Sequence, residues 1–142
     1  MANGTAFIRQ AGALPVKAGR VCLITSSNGK RWIIPKGLIE PGQGAAETAL
    51  QEAWEEAGLV GVPRSQPLGT YLYDKNGVTC HVTVFLMQVK EIAQDWPERA
   101  LRQREWVGLG TALRRLTDPG LAAILRSGLA KRKRARSVAE WD

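Results

Sequence analysis

The sequence is poor in the residue types that build sulfur-based and histidine-based sites. It contains two cysteines and one histidine among 142 residues. Cys22 and Cys80 each lie in an apolar segment, so we expect buried free thiols, because a disulfide framework or a thiolate metal site would need more partners. His81 lies in a strand-like run, where we expect a structural or solvent-facing residue.

Long apolar runs are also missing. No stretch approaches the roughly 20 apolar residues that span a membrane, and residues 1–10 lack the basic and apolar regions of a secretory signal. Hydrophobic residues still make up 44% of the chain, which favours a packed core over disorder. These features predict a cytoplasmic protein with no membrane partner, and the length suits one domain.

Acidic residues are fewer than basic ones: the chain has 13 Asp and Glu and 20 Lys and Arg, which gives a net charge of +7. Part of this excess is a run near the C-terminus: Lys131, Arg132, Lys133, Arg134 and Arg136. We predict one domain over residues 1–130 and a basic tail over residues 131–142. Such a run is typical of a solvated tail, and it could also attract polyanions such as RNA or phosphorylated small molecules.

Two Asn-Gly pairs, at residues 28–29 and 76–77, each separate two β-prone apolar runs, which is a strong hairpin signal. The runs cover residues 20–26 and 31–34 for the first hairpin, and 68–73 and 78–89 for the second. A helix is expected over residues 45–57, a short strand over 104–107, and a second helical region from about Thr111, interrupted near Asp118. The pattern predicts an α/β sandwich with a helix on each side of a central sheet.

The helix over residues 45–57 places carboxylates on its polar side. Its apolar stripe is formed by Ala46, Ala49, Leu50, Ala53 and Ala57. Glu52 and Glu56 are spaced i, i+4, Glu55 is three residues from Glu52, and no Lys or Arg lies at a helical spacing that would relieve their repulsion. A divalent cation would relieve it, and carboxylates suit Mg²⁺ or Mn²⁺. An isolated E-x-x-E-E pattern is usually a solvated acidic face, so the preceding loop decides the interpretation.

The segment over residues 37–59 reads GLIEPGQGAAETALQEAWEEAGL. It resembles the Nudix box, G-x5-E-x7-R-E-U-x-E-E-x-G-U, where U is a bulky aliphatic residue. The matching positions are Gly37, Glu52, Glu55, Glu56, Gly58 and Leu59. Outside the box, the RWIIP run at residues 31–35 and the RQREW run at residues 102–106 are similar to the diphosphoinositol polyphosphate phosphohydrolase branch, whose members also cleave diadenosine polyphosphates.

The resemblance implies a Nudix α/β/α sandwich with a mixed central sheet, and a Mg²⁺-dependent hydrolase (Mn²⁺ being an alternative) that cleaves a diphosphate linkage in a highly anionic substrate. Glu52 and Glu56, helped by Glu55, are then expected to hold the metal and form the catalytic set. Glu55 is our candidate for the general base, although Glu55 and Glu56 could exchange roles. Asp74 is a possible carboxylate outside the box.

The sequence departs from the box at three positions. Gln43 replaces its early glutamate, Gln51 replaces its arginine, and Ala53 occupies an aliphatic position. Because a Glu–Arg ion pair can be replaced when both partners change together, we hypothesise a supporting Gln43–Gln51 hydrogen bond. The alternative is a non-catalytic Nudix module that binds a phosphorylated ligand.

A substrate rich in phosphate needs cations near the metal. Arg9, Arg31 and Lys36, together with the backbone at Gly37, are the predicted substrate-binding residues. Trp32 could contact a ligand ring, although packing is its commoner role. A second enzyme interpretation, an RNA 5′-end pyrophosphohydrolase, is supported by the basic tail alone.

Overall fold

The computed structural model describes residues 7–129, which form eight strands and three α-helices. The strands are β1 (Phe7–Lys17), β2 (Arg20–Thr25), β3 (Trp32–Ile33), β4 (Lys36–Leu38), β5 (Leu59–Pro63), β6 (Gly69–Lys75), β7 (Val78–Ile92) and β8 (Arg104–Val107). The helices are α1 (Ala45–Ala57), α2 (Leu109–Arg115) and α3 (Pro119–Ile124), and a π-helical turn follows over Leu125–Leu129.

All eight strands belong to one mixed sheet. Its main path runs β3-β2-β1-β7-β5, while β4 pairs with β1, β6 with β7, and β8 with β2. The long central pair β1–β7 is parallel, from Phe7 opposite Thr79 to Val16 opposite Gln88, and the other ladders are antiparallel. The chain between these two parallel strands contains α1, which packs on one face of the sheet.

Each face of the sheet has its own apolar core. Alternate residues of β7 explain this arrangement, because successive side chains of a strand point to opposite faces: Val82, Val84 and Leu86 pack with α2 and α3, whereas Phe85 and Met87 pack under α1. The alanine stripe of α1 lets that helix lie close to the sheet, with Ala49, Ala53 and Ala57 fully buried. The resulting α/β/α layering confirms the predicted fold class.

Local signals located most of these elements. Both Asn-Gly hairpins are present, as β2–β3 and β6–β7, and the predicted helix, the short strand and the interruption near Asp118 are also found. Asp118 ends the interruption by capping α3, since its Oδ1 accepts from the backbone N–H groups of Gly120 and Leu121 at 2.9 and 3.3 Å. Strands β1, β4 and β5 were not predicted, and β4 lies in a stretch, residues 35–44, that we expected to be a loop.

No helix within residues 7–129 is long and apolar enough to cross a membrane. The predicted basic tail lies outside the described residues, so the domain boundary at residue 130 stays a prediction. Both cysteines within the described range are free and buried, as expected.

Candidate active site

The C-terminal end of α1 is fixed by its own C-cap glycine and by donors from Trp96 and from the first residue of β8. Gly58 adopts the left-handed conformation (φ 68°) that ends many helices, and its N–H donates to the Trp54 carbonyl at 3.0 Å. The Trp96 indole N–H donates to the Glu56 carbonyl at 3.1 Å, and Arg104 Nη1 donates to the Ala57 carbonyl at 2.8 Å. These contacts hold the helical turn that carries the last carboxylates.

Glu52 and Glu56 lie together between α1 and strand β4. The backbone N–H of Lys36 donates to Glu56 Oε1 at 3.2 Å. A Cβ atom on Gly37 would lie only 2.4 Å from the Glu52 carboxyl carbon, so the glycine lets this carboxylate rest against the strand. Glu56 follows Ala49 by seven residues, so it lies at the edge of the alanine stripe and not on the opposite side of the helix as expected. It is only 7% exposed, because β4 and the segment before β8 also cover it.

Burial dominates the electrostatics of this pair. It raises the pKa of Glu56 to about 8; Arg102, whose Nη2 lies 3.6 Å from Glu56 Oε2, opposes the increase, and the hydrogen-bonded Glu52 carboxyl adds to it. Burial also raises the pKa of Glu52, with further increases from the negative charges of Glu55 and Glu98. Without a cation, the two carboxyls therefore retain a shared proton near neutral pH.

A pair of this kind fits Mg²⁺. No group of three or more His, Cys, Asp or Glu side chains converges as a ligand set within residues 7–129. Mg²⁺ does not need three protein ligands, because it usually takes one or two carboxylates and completes its shell with water and phosphate oxygens. Glu52 and Glu56 would hold the ion, which would replace the proton that they share. The helping role of Glu55 stays a prediction.

The hydrogen bond hypothesised from the two box departures is present. Gln43 Nε2 donates to Gln51 Oε1 at 2.6 Å, and the Thr48 hydroxyl donates to Gln43 Oε1 at 2.8 Å. Gln51 in turn donates through Nε2 to Glu55 Oε2 at 2.9 Å. This chain of neutral donors orients Glu55 on the outer side of α1, whereas Glu52 and Glu56 lie against β4.

A cavity of about 190 Å³ lies on the other face of β4, where the Lys36 side chain points. Lys36 Nζ donates to the Tyr73 hydroxyl at 2.8 Å, and that hydroxyl donates to Gln10 Oε1 at 3.0 Å. Burial lowers the pKa of Lys36, and the nearby Glu56 carboxylate opposes the decrease. Because Lys36 contacts Glu56 through its backbone and the cavity through its side chain, it joins the carboxylate pair to the cavity.

The cavity wall combines cations with aromatic rings. Its lining includes Arg31, Lys36 and Lys75 as cations, Asp74 and Asp118 as anions, and the rings of Trp32, Tyr71 and Tyr73. The Arg115 guanidinium lies 4.9 Å from the centre of the Trp32 ring, which supports that ring. The composition suits a ligand that has both negative charge and a flat ring.

The other predicted residues have different surroundings. Arg9 is exposed on β1 and alternates with Gln10, so it lies on the α1 face and is not among the cavity-lining residues. Asp74 is exposed, lines the cavity, and accepts a hydrogen bond from the Thr79 hydroxyl at 3.1 Å. The His81 ring stacks on Phe7 with a centroid separation of 6.1 Å. The site roles of Arg9 and Asp74 stay predictions.

Sequence reasoning gave no role to Glu98 and Arg102. Arg102 Nε donates to Glu98 Oε1 at 2.8 Å, which places this ion pair beside the Glu52–Glu56 carboxyls. The resemblance of the RQREW run to one Nudix branch was the available signal. It marked the segment but could not show that the segment reaches α1.

Comparisons with known proteins agree with this geometry. Residues 7–127 match the family model described as NUDIX domain. Nudix hydrolase 12, mitochondrial, of Arabidopsis thaliana is 35% identical over 101 residues, covering 66% of this chain and 50% of that protein. Diphosphoinositol polyphosphate phosphohydrolase 3-alpha of Mus musculus is 34% identical over 117 residues, covering 76% of this chain and 68% of that protein. The chain thus spans half the length of the Arabidopsis relative.

Solved structures share the fold at lower identity. A C. elegans Ap4A hydrolase superposes with a TM-score of 0.72 at 20% identity, covering 88% of this chain and 97% of that one. A NUDIX hydrolase from Nitrosomonas europaea gives a TM-score of 0.74 at 18% identity, covering 89% and 90% of the two chains. With a family model matching most of its length and relatives that are named hydrolases, the chain belongs to the NUDIX family.

Proposed function

We propose that this protein is a Mg²⁺-dependent pyrophosphohydrolase that cleaves a diphosphate linkage in a highly anionic small molecule. The observation that carries the proposal is the Glu52–Glu56 pair against Gly37, in which Glu56 is buried and Glu52 is partly buried. Burial raises the pKa of both carboxyls, so the apposed pair is a poor structural choice and a good Mg²⁺ site. The relatives named as hydrolases support a catalytic role over a purely binding one.

Each residue of the site has a proposed role in hydrolysis. Bound Mg²⁺ would supply Lewis-acid polarisation of the diphosphate and would acidify the attacking water. Glu52 and Glu56 would hold the ion. Glu55, which accepts a hydrogen bond from Gln51 Nε2 at 2.9 Å, is the proposed acceptor of the proton of the water. Lys36 and Arg31 neutralise phosphate oxygens from the cavity side.

The cavity helps to choose between substrate classes. Trp32 lines the cavity and is partly exposed, so its ring is the surface on which a nucleobase could stack, which supports a dinucleoside polyphosphate. The mouse relative, by its name, acts on diphosphoinositol polyphosphates, so that class is the alternative. An RNA 5′-end stays a third candidate substrate. Its binding would rely on the basic run at residues 131–136, which lies outside the described residues. We also propose that the protein is cytoplasmic.

A substrate panel with a matched variant tests the proposal. Diadenosine polyphosphates, a diphosphoinositol polyphosphate, ADP-ribose, nucleoside triphosphates and a 5′-triphosphorylated RNA are incubated with Mg²⁺, and products are quantified. Turnover of one class should fall by about 10³-fold or more in Glu56→Gln. Binding of one ligand without any product would contradict the proposal and favour a non-catalytic module. Deleting residues 131–142 should weaken cleavage of RNA alone if RNA is the substrate.

A further inference from the structure

Arg102 reaches the carboxylate pair from outside α1. It lies in the segment just before β8, and its side chain is 12% exposed. Its guanidinium contacts three separate parts of the fold: Nε donates to Glu98 Oε1 at 2.8 Å, Nη1 donates to the Thr25 carbonyl at 3.0 Å, and Nη2 lies 3.6 Å from Glu56 Oε2. Two hydrogen bonds, to Glu98 and to the Thr25 carbonyl, therefore hold the planar group, and its remaining nitrogen is directed toward Glu56.

The backbone around Arg102 is fixed independently of its side chain. Gln103 N–H donates to the Thr25 hydroxyl at 2.9 Å, and Thr25 N–H donates to the Gln103 carbonyl at 3.0 Å. Glu98 N–H donates to the Glu55 carbonyl at 3.0 Å. The two hydrogen bonds between Gln103 and Thr25 attach the segment to the end of β2, and the bond from Glu98 attaches it to α1. The backbone alone therefore fixes the position of Arg102 relative to both elements.

The residue that replaces the box arginine does not provide a charge to Glu56. Gln51 is neutral and donates to Glu55, not to Glu56. Among the described residues, Arg102 is the cation that forms an ion pair with Glu56. The helix has no arginine at position 51 to pair with Glu56. Arg102, which is roughly one third of the chain away from Gln51, provides that positive charge.

We propose that Arg102 is a positioning residue for the metal site, holding the Glu56 carboxylate in the orientation in which it can share an ion with Glu52, and so performing the task that Gln51 cannot. The proposal rests on the proposed function, because it assumes that Glu52 and Glu56 bind the metal. Partners of metal ligands of this kind typically affect metal affinity by about 10- to 100-fold.

The neighbouring arginines provide matched controls. Arg104 is also partly buried, but it donates to the carbonyls of Ala57 and Ala93 and stacks on Trp96, without contact to a carboxylate of the pair. Arg99 is exposed and pairs with Asp95 at 3.7 Å. Replacing Arg104 therefore tests loss of structure, and replacing Arg99 tests loss of positive charge nearby.

The experiment measures Mn²⁺ affinity by titration calorimetry and thermal stability on the full chain, without substrate. We expect Arg102→Gln to weaken Mn²⁺ binding by about 10- to 100-fold, and Arg102→Lys by about threefold to tenfold, since lysine keeps the charge but cannot hold three partners at once. Arg104→Gln should lower the melting temperature and weaken Mn²⁺ binding less than Arg102→Gln does, because Arg104 contacts backbone carbonyls and no carboxylate of the pair; Arg99→Gln should change neither.

Wild-type affinity in Arg102→Lys would overturn the proposal even if Arg102→Gln does not fold. Equal weakening in Arg102→Gln and Arg104→Gln would overturn it as well, because the effect would then be general destabilisation. Glu56→Gln separates this inference from the proposed function: normal Mn²⁺ binding in that variant means that the metal site itself is wrong, whereas lost binding there with normal binding in Arg102→Gln refutes the role of Arg102 alone.

Discussion

Replacing Gly37 with alanine should damage the metal site while leaving the fold intact. The backbone φ at Gly37 is outside the left-handed region, so alanine introduces no backbone strain. The new Cβ atom would lie 2.4 Å from the Glu52 carboxyl carbon and 2.6 Å from both carboxyl oxygens. Because ordinary contacts begin at 3.4 Å, the carboxyl carbon must move by about 1 Å (3.4 minus 2.4).

The two consequences of that shift differ greatly in size. The atoms that must move are the far end of one flexible side chain, so the free energy of unfolding should change by no more than about 1 kcal/mol. A displacement of about 1 Å at a reacting centre can lower the rate by about 100-fold. We therefore expect Gly37→Ala to melt near the wild-type temperature, to bind Mn²⁺ more weakly, and to lose about 100-fold in Mg²⁺-dependent turnover.

The control is a glycine with free space around it. Gly110 in α2 has a single neighbour near an added Cβ, Arg114 Nη1 at 3.6 Å, so Gly110→Ala should keep wild-type metal binding and turnover. Wild-type affinity for Mn²⁺ in Gly37→Ala would refute the reasoning, because Glu52 could then leave its position against β4 without loss.

Three further predictions follow from the same contacts. Because burial raises the pKa of Glu56 to about 8, the native state keeps a proton that the unfolded chain loses near 4.5; the metal-free protein should lose stability as the pH rises from about 5 to about 8, while Mg²⁺ binding, measured by thermal shift, should strengthen over the same range. Constant stability there would contradict the burial argument. Gln51→Ala frees Glu55 but leaves Glu52 and Glu56 in place, so metal affinity should persist while turnover falls; unchanged turnover would exclude Glu55 as an oriented base. Gly58→Ala forces a left-handed conformation on alanine and brings its Cβ within 2.7 Å of the ring of Trp96, so chemical denaturation should show a loss of more than about 1 kcal/mol.

The elements that the sequence located are those with a local cause. Asn-Gly turns specify their own hairpins, and the alanine stripe of α1 specifies its buried face. Strand β1 also forms a hairpin, with β2, but its turn is Ala18-Gly19, in which alanine adopts a positive φ of 52° that its sequence does not favour. Its long pairing with β7 is parallel and joins residues more than 60 positions apart, so no local signal marks it.

The same limit applies to the candidate site. Helical spacing placed Glu52 and Glu56 side by side and predicted relief by a cation. It could not show that Glu56 is buried, since a helical projection describes one helix and not the strand and loop that cover it. Arg102 was hidden for the same reason, because its position depends on hydrogen bonds of Gln103 with Thr25 in β2 and of Glu98 with Glu55 in α1, which join segments far apart in the chain.

The parallel pairing of β1 with β7 also sets the order of events during folding. The β2–β3 and β6–β7 hairpins are local and can close within microseconds, whereas Phe7 reaches Thr79 only after a loop of 72 positions (79 minus 7) has closed. The carboxylate pair is brought together by the packing of α1 and β4 on β1. A cation held by Glu52 and Glu56 needs that tertiary arrangement, so it should extend the lifetime of the native state by slowing unfolding, with little effect on the rate of folding.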